Sequence, residues 1–141
     1  MKRLTQYVCI LLACAFLVMP ASAEPRGMDA SNYFAYTSAY LNALSSTSFQ
    51  VCFDVTAVGG MDEIGASLIK VQKSSDGTNW ETVHTRTKED YSGMIGEDTA
   101  DHNYYFTYYG TTGYQYRAYI EFYAKKGNGE AYYDTYTETF P

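Results

Sequence analysis

The residues of this chain that are able to do chemistry are few, and their spacing matches no catalytic site. His84 and His102 are the only histidines, and no Gly-x-Ser-x-Gly, His-Glu-x-x-His or Cys-x-x-Cys motif is present. Nothing therefore indicates a nucleophile with its base, or a metal centre. Pairs of carboxylates can hydrolyse glycosides, but that chemistry needs a cleft, which a small β-domain must build from loops alone. We expect a protein that is not an enzyme and has no cofactor.

Tyrosine is the residue type that stands out, with 16 of 141 positions, twelve of them from Tyr91 onward. The run Gly113–Ala124 alternates with period 2, which predicts a half-buried β-strand. One set of alternate residues is predicted to face the core, and it contains Tyr114, Tyr116, Ala118, Ile120, Phe122 and Ala124. The other set must face solvent or be partly covered.

The outward set of this strand and the last strand predict a candidate binding face. Its members are Tyr119, Tyr123, Tyr132, Tyr136 and Arg117. Tyrosine rings with hydroxyl groups stack on a sugar or on the apolar surface of a partner at low entropic cost. Tyrosine also has high β-propensity and pairs well across strands, so a purely structural role explains the same residues.

An acidic stretch at residues 88–101 is a second, weaker candidate site. It has no clear periodicity and is predicted to be a surface loop or a crossing between sheets. Asp90, Glu97, Asp98 and Asp101 could supply oxygen ligands to Ca²⁺. The Asp-x-Asp-x-Asp-Gly loop pattern is absent, and a solvated loop that keeps the protein soluble is the simpler interpretation.

Cys52 is the third candidate, because it shares its strand face with Gln50 and Asp54 and not with the apolar residues. That alternation places it on the outer face, where an exposed thiol can pair with a second chain. The alternative is a small residue covered by its neighbours. We expect a monomer, with a Cys52-linked dimer as the alternative.

The beginning of the chain has the layout of a secretory signal. A short basic segment precedes an apolar run at residues 7–18, and Ala21-Ser22-Ala23 forms an A-x-A cleavage site, so cleavage is predicted between Ala23 and Glu24. A lipoprotein signal at Cys14 is disfavoured because the apolar run continues past it. An uncleaved anchor is disfavoured because the run is shorter than the roughly 20 residues that span a bilayer. The protein is therefore expected to be secreted, with no membrane span after cleavage.

The charge balance excludes two classes of partner. The formal net charge is −6, and the signal removes Lys2 and Arg3, so the mature chain is still more acidic. Nucleic acids and anionic membrane surfaces require a basic face, so neither is expected as a partner. Two cysteines, Cys9 and Cys14, also leave with the signal, which excludes an intramolecular disulfide.

The part of the chain that follows the signal is predicted to form one all-β domain. We divide the whole sequence into a signal peptide at residues 1–23, a flexible leader at residues 24–31 and a β-sandwich at residues 32–141. Residues 33–44 favour an edge strand, with a short helical turn at Ala39-Tyr40-Leu41 as the alternative. A turn is predicted at Gly59-Gly60 and a hairpin turn at Asp76-Gly77. The predicted core cluster contains Trp80, Phe53, Tyr116, Ile120 and Phe122. About seven short strands without a helix favour an antiparallel sandwich of the immunoglobulin or fibronectin type III class.

Several turns and core positions carry a resemblance to known proteins. They are Ile64-Gly65-Ala66, Asp76-Gly77 with Trp80, His102, Tyr108-x-Gly110 and Gly113-Tyr114-x-Tyr116-Arg117-Ala118. Over residues 48–140 the chain resembles an uncharacterised group of small exported β-sandwich proteins of Gram-positive, mostly anaerobic bacteria. The last strands are also locally similar to fibronectin type III modules. The resemblance implies an exported β-sandwich and transfers no activity. With the tyrosines, it favours a secreted binding module for a glycan or cell-surface protein, and the alternative is a self-associating structural protein.

Overall fold

The computed structural model describes residues 30–141, which form one antiparallel sheet of six strands and contain no α-helix. The strands are β1 Phe34–Ala43, β2 Ser48–Ser74, β3 Glu81–Thr87, β4 Ile95–Tyr109, β5 Gln115–Lys126 and β6 Gly129–Tyr136. Short 3₁₀ turns lie at Ala30–Asn32 and Ser92–Met94. In this part of the chain, no helix is long and apolar enough to span a bilayer. The predicted signal peptide, its cleavage site and residues 24–29 of the leader lie outside the described residues.

Strand β2 is the spine of the sheet, because four of the other strands pair with it. Strand β1 pairs with β2 up to Ala57, and β4 pairs with it from Ser48 to Gly65. Strands β3 and β5 pair with its later part, and β6 continues the sheet from β5. Strands β1 and β6 are the two ends of the strand order. The all-β, antiparallel class expected from the sequence is confirmed, as is an edge strand within residues 33–44.

The turn expected at Gly59-Gly60 is wrong, and so is the count of seven strands. Both glycines lie within β2, which runs unbroken for 27 residues. The residues on either side of them pair with the same strand β4, and the register shifts between Thr56 and Met61. Extra residues in one strand of a pair bend that strand. The glycine pair therefore marks an irregularity where the sheet curls, and one long strand replaces two short ones.

The core lies inside this curl. The rings of Phe53 and Phe122 meet edge to face with centroids 5.7 Å apart, and those of Phe49 and Tyr116 are 5.4 Å apart. The first member of each pair belongs to the first half of β2 and the second to β5. The inward face predicted for this strand is confirmed for Tyr116, Ala118, Ile120, Phe122 and Ala124, which are all buried. It is wrong for Tyr114, which stands before the start of β5 and is 36% exposed.

The stretch at residues 88–101 is only partly a loop. Residues from Ile95 onward belong to β4, with Ile95 opposite Gly65 and Thr99 opposite Met61. Just before them, Met94 is fully buried in the core. A Cβ on Gly65 would lie 2.0 Å from the Met94 carbonyl oxygen, so this close approach requires glycine. The sequence shows no alternation here because Met94 is the one buried residue of the stretch, and backbone pairing with β2 holds the rest without a periodic apolar face.

Candidate functional site

The outer face of β5 and β6 brings the four predicted tyrosines together in two cross-strand pairs. Tyr119 lies opposite Tyr136, and Tyr123 lies opposite Tyr132. In each pair the ring centroids are 5.3 Å apart. We call these four residues and Arg117 the tyrosine face.

The four rings differ in how much surface they offer. The side chain of Tyr136 is 49% exposed, Tyr119 and Tyr132 are half-buried, and Tyr123 is only 1% exposed. Tyr123 points away from the core as predicted, but the ammonium of Lys88 lies 3.7 Å from its ring centroid and Tyr132 packs beside it. Its hydroxyl donates to the Glu130 carboxylate at 3.0 Å. Alternation assigns a side chain to a face but does not reveal which long neighbours cover it there.

Arg117 connects the tyrosines to Trp80, which the sequence analysis assigned to the core. Its guanidinium carbon lies 4.2 Å from the ring centroid of Tyr136 and 4.2 Å from that of Trp80, so aromatic rings flank the group. The Nε–H donates to the Gln72 side-chain oxygen at 2.9 Å. Both the stacking and the hydrogen bond hold the guanidinium in one orientation.

The placement of Trp80 in the core cluster is wrong, because its half-buried ring packs against Arg117 on the outer face. Trp80 stands one position before β3, so no alternation within that strand fixes its side. The register of the β2–β3 hairpin is what places Trp80 on the outer face. Lys73 pairs with Glu81, so Trp80 lies level with Ser74, on the face that also carries Gln72.

Three hydroxyl groups of the tyrosine face, those of Tyr119, Tyr123 and Tyr132, have a raised pKa. Burial first, and then the charges of Asp134 and Glu121, raise the pKa of Tyr119 to about 12. Burial and the hydrogen bond to Glu130 also raise the pKa of Tyr123. The raised pKa values keep these phenols protonated into the alkaline range, and a protonated phenol both donates and accepts hydrogen bonds without adding charge.

The four carboxylates of the Ca²⁺ hypothesis are not gathered around one point. Asp90 accepts a hydrogen bond from the Thr87 hydroxyl at 2.8 Å, and Glu97 lies opposite Glu63 in the β2–β4 ladder. Asp98 has a positive φ of 49° and Asp101 is exposed. Across residues 30–141, no three His, Cys, Asp or Glu side chains are placed to hold a metal ion together.

Cys52 lies on the outer side of β2, as alternation predicts, and is buried at 7% exposure, so of the two interpretations the covered residue holds and the exposed thiol does not. Its cross-strand neighbours explain the difference, because Tyr40 lies opposite it on β1 and Tyr105 on β4. Burial, followed by the charge of Asp54, raises the pKa of the thiol. Fewer thiolates at neutral pH mean slower disulfide exchange.

Both histidines make packing contacts. The His84 ring lies 5.7 Å from that of Phe106, and burial together with Arg86 lowers its pKa. A ring nitrogen of His102 lies 2.8 Å from the Gly93 carbonyl oxygen and ties β4 to the preceding 3₁₀ turn.

No protein-family model matches the chain, and no curated protein matches it significantly. The resemblance to exported proteins of Gram-positive bacteria therefore stays a prediction, and the geometry of the outer face carries the functional argument.

Proposed function

We propose that this protein is a secreted, non-catalytic binding module that uses its tyrosine face to bind a glycan or a cell-surface protein. The observation that carries the proposal is the continuous row of rings and guanidinium formed by Trp80, Arg117, Tyr136 and Tyr119. Stacked rings need little further ordering when a ligand arrives, so less of the interaction energy is lost as entropy. Export through the predicted signal at residues 1–23 belongs to the same proposal.

We infer further that the curled sheet is a variant of an immunoglobulin- or fibronectin type III-like sandwich. The ring contacts between the first half of β2 and strand β5, such as that of Phe53 with Phe122, support two facing layers. In such a sandwich, the outer face of one layer is free to bind while the inner face maintains stability.

A self-associating structural protein is the second candidate, and the end strand β1 favours it. On β1, Tyr36 is 57% exposed and Tyr40 is 42% exposed. A hollow of about 340 Å³ beside β1 is lined by Phe34, Tyr36 and Tyr133 among others. An end strand with exposed aromatic residues can pair with the same strand of a second copy. A Cys52-linked dimer is a less direct route, because that thiol is buried.

A glycan array and a pull-down from cell-surface extract, run beside analytical ultracentrifugation, separate the two candidates. The module predicts a monomer that binds a ligand, and the structural protein predicts oligomers without ligand. The double variant Tyr119→Ala with Tyr136→Ala should abolish ligand binding and leave the melting temperature within a few degrees. Tyr109→Ala is the matched control, because Tyr109 is a highly exposed tyrosine on β4, away from this face. Equal binding by the double variant and the control would contradict the proposal.

A further inference from the structure

We infer that the ligand of the tyrosine face is an acidic saccharide, and that Arg117 binds its carboxylate while Tyr136 stacks on its ring. This inference rests on the proposed binding function and adds the chemical class of the ligand. Four features of the structure carry it.

The first feature is that Arg117 is held ready to bind. Trp80 and Tyr136 flank its guanidinium plane, and Gln72 accepts the Nε–H. A flexible arginine loses side-chain entropy when it binds an anion. Arg117 has already lost this side-chain entropy on folding, because three neighbours fix its guanidinium.

The second feature is that the outer end of the guanidinium has no partner among residues 30–141. The ion pairs in this part of the chain join Lys73 with Glu81, and Glu63 with both Lys88 and Lys125, and Arg117 takes part in none of them. Its only hydrogen bond runs from Nε. No fully buried side-chain nitrogen or oxygen in the described chain lacks a partner, so the unpaired terminal nitrogens must reach solvent. They present a planar pair of donors whose geometry fits one carboxylate bidentately.

The third feature is the distribution of charge on this face. Lys70 lies near Arg117, with its ammonium 5.9 Å from the Tyr119 ring centroid, and it has no carboxylate within ion-pair distance. Two acids lie beside Tyr119 on the same strands, Glu121 and Asp134, and their charges act on its hydroxyl. Glu121 accepts a hydrogen bond from the Ser67 hydroxyl at 2.5 Å, and neither acid forms an ion pair with Arg117 or Lys70 in the described chain. Both cations are therefore left without an ion-pair partner. The net charge of −6 opposes anion binding here only weakly, because salt screens exposed charges beyond about 8 Å at physiological ionic strength.

The fourth feature is the exposed aromatic surface beside the donors, which selects a sugar acid over a simple anion. Tyr136 touches Arg117 and is 49% exposed, and Tyr119 meets its ring at 61°. A uronic acid carries its carboxylate directly on a carbon of the pyranose ring. One residue of such a ligand can therefore engage Arg117 and place its ring on Tyr136 at the same time.

The test is isothermal titration of the secreted protein with trimers of galacturonate, glucuronate, mannuronate and guluronate, and with their methyl esters. The ester keeps the sugar and removes both the charge and the bidentate acceptor. We expect at least one acid to bind and its ester to bind at least about tenfold more weakly, since charged hydrogen bonds are stronger than neutral ones. This comparison uses the unaltered protein, so it does not depend on how a variant folds.

Variants then assign the effect to Arg117. Arg117→Gln should weaken binding of the acid at least about tenfold, and Arg117→Lys should weaken it as well, because lysine keeps the charge and loses the fork. Lys126→Gln is the control, because it removes one positive charge at an exposed end of β5 and should leave binding unchanged.

Several outcomes would overturn the inference. Equal binding of acid and ester, or full binding by Arg117→Gln, removes the role of the carboxylate. Tighter binding of a sulfated galactose trimer, or of poly-glutamate, reassigns the anion. Binding of neutral glycans or of a protein that depends on Tyr119 and Tyr136 but not on Arg117 defeats this inference and leaves the proposed function intact. No binding to any glycan or cell-surface protein defeats both.

Discussion

Two arginines in this protein are stacked on aromatic rings, and they differ in what their nitrogen atoms do. The guanidinium of Arg86 lies 3.8 Å from the ring centroid of Phe106 and 4.2 Å from that of Tyr91. Its Nε–H donates to His84 at 3.2 Å, and its Nη1 donates to the Tyr104 hydroxyl at 2.6 Å. Arg117 has two rings at 4.2 Å but donates a hydrogen bond only from its Nε. The two arginines are stacked alike, but Arg86 also donates hydrogen bonds from two nitrogens and Arg117 from one.

The strands around each arginine explain the difference. Arg86 lies on β3, and its partners Tyr104 and Phe106 lie on β4. Each of these strands pairs with β2, and no backbone ladder joins them to each other in the described chain. Arg86 thus links two strands that the sheet does not connect. Arg117 lies on β5, which β2 and β6 already pair on both sides. Its stacking is not needed to join strands, which leaves its outer donors free for a ligand.

A substitution in the core should have a larger effect on the free energy of unfolding than a substitution of either arginine. Phe122→Ala should lower the free energy of unfolding by about 3–5 kcal/mol, because it removes a ring that packs on Phe53, Phe34 and Tyr133 inside the curl. Urea unfolding followed by circular dichroism measures it. An unchanged midpoint would mean that the inward face of β5 is assigned wrongly.

Arg86→Gln should have the next largest effect, lowering the free energy of unfolding by about 1–3 kcal/mol. The substitution removes two hydrogen bonds and the contact with the Phe106 ring, which is only 7% exposed. The same urea titration measures it. A loss smaller than that of Arg117→Gln would break the comparison.

Arg117→Gln should lower the free energy of unfolding by less than about 1 kcal/mol, because the lost stacking is partly exposed to water. Trp80 fluorescence should change clearly, since its ring loses the cation stacked on it. Large destabilisation here would show that Arg117, like Arg86, is mainly structural.

The smallest effect concerns alkaline pH. The folded pKa of Tyr119 is raised to about 12 from 10.0, so its neutral form is favoured in the folded state. This contribution to stability is fully present below pH 10 and is lost as the pH rises toward 12. Tyr119→Phe should therefore make the loss of stability over that range less steep in urea titrations at successive pH values. An identical slope in the variant would place Tyr119 in a more solvated setting.

Sequence patterns predicted the structure correctly where alternation along one strand, or the chemistry of one turn, decides where a side chain lies. The inward face of β5, the tyrosine pairs between β5 and β6, and the hairpin at Asp76-Gly77 all follow from alternation or from turn chemistry. At that hairpin, Gly77 has a φ of 73°, and the Asp76 carboxylate accepts the backbone N–H groups of Thr78 and Asn79 at 2.8 Å. Local rules sufficed because the deciding contacts are local.

The errors arose where contacts distant in sequence decide the outcome. Gly59-Gly60 is no turn because β4 pairs on both sides of it. The exposure of Cys52 stayed open in the sequence, because the residues that cover it, Tyr40 and Tyr105, are brought beside it by two other strands. Trp80 packs on the outer face and not in the core, because its ring stacks on the guanidinium of Arg117, which is distant in sequence. The candidate site was predicted in its tyrosines, but its tryptophan was not. Only the hairpin register, carried one residue beyond the strand, could have placed Trp80 on that face.

The most direct test of this account measures stability and ligand binding of Arg86→Gln and Arg117→Gln side by side, at a temperature where both variants are folded. The titrant is the uronate trimer that the unaltered protein binds best. The account predicts opposite patterns: Arg86→Gln loses stability and keeps its affinity, while Arg117→Gln keeps its stability and loses at least about tenfold in affinity. If stability and affinity fall together in both variants, or if Arg117→Gln binds like the unaltered protein, the two arginines do the same work and the central claim is contradicted.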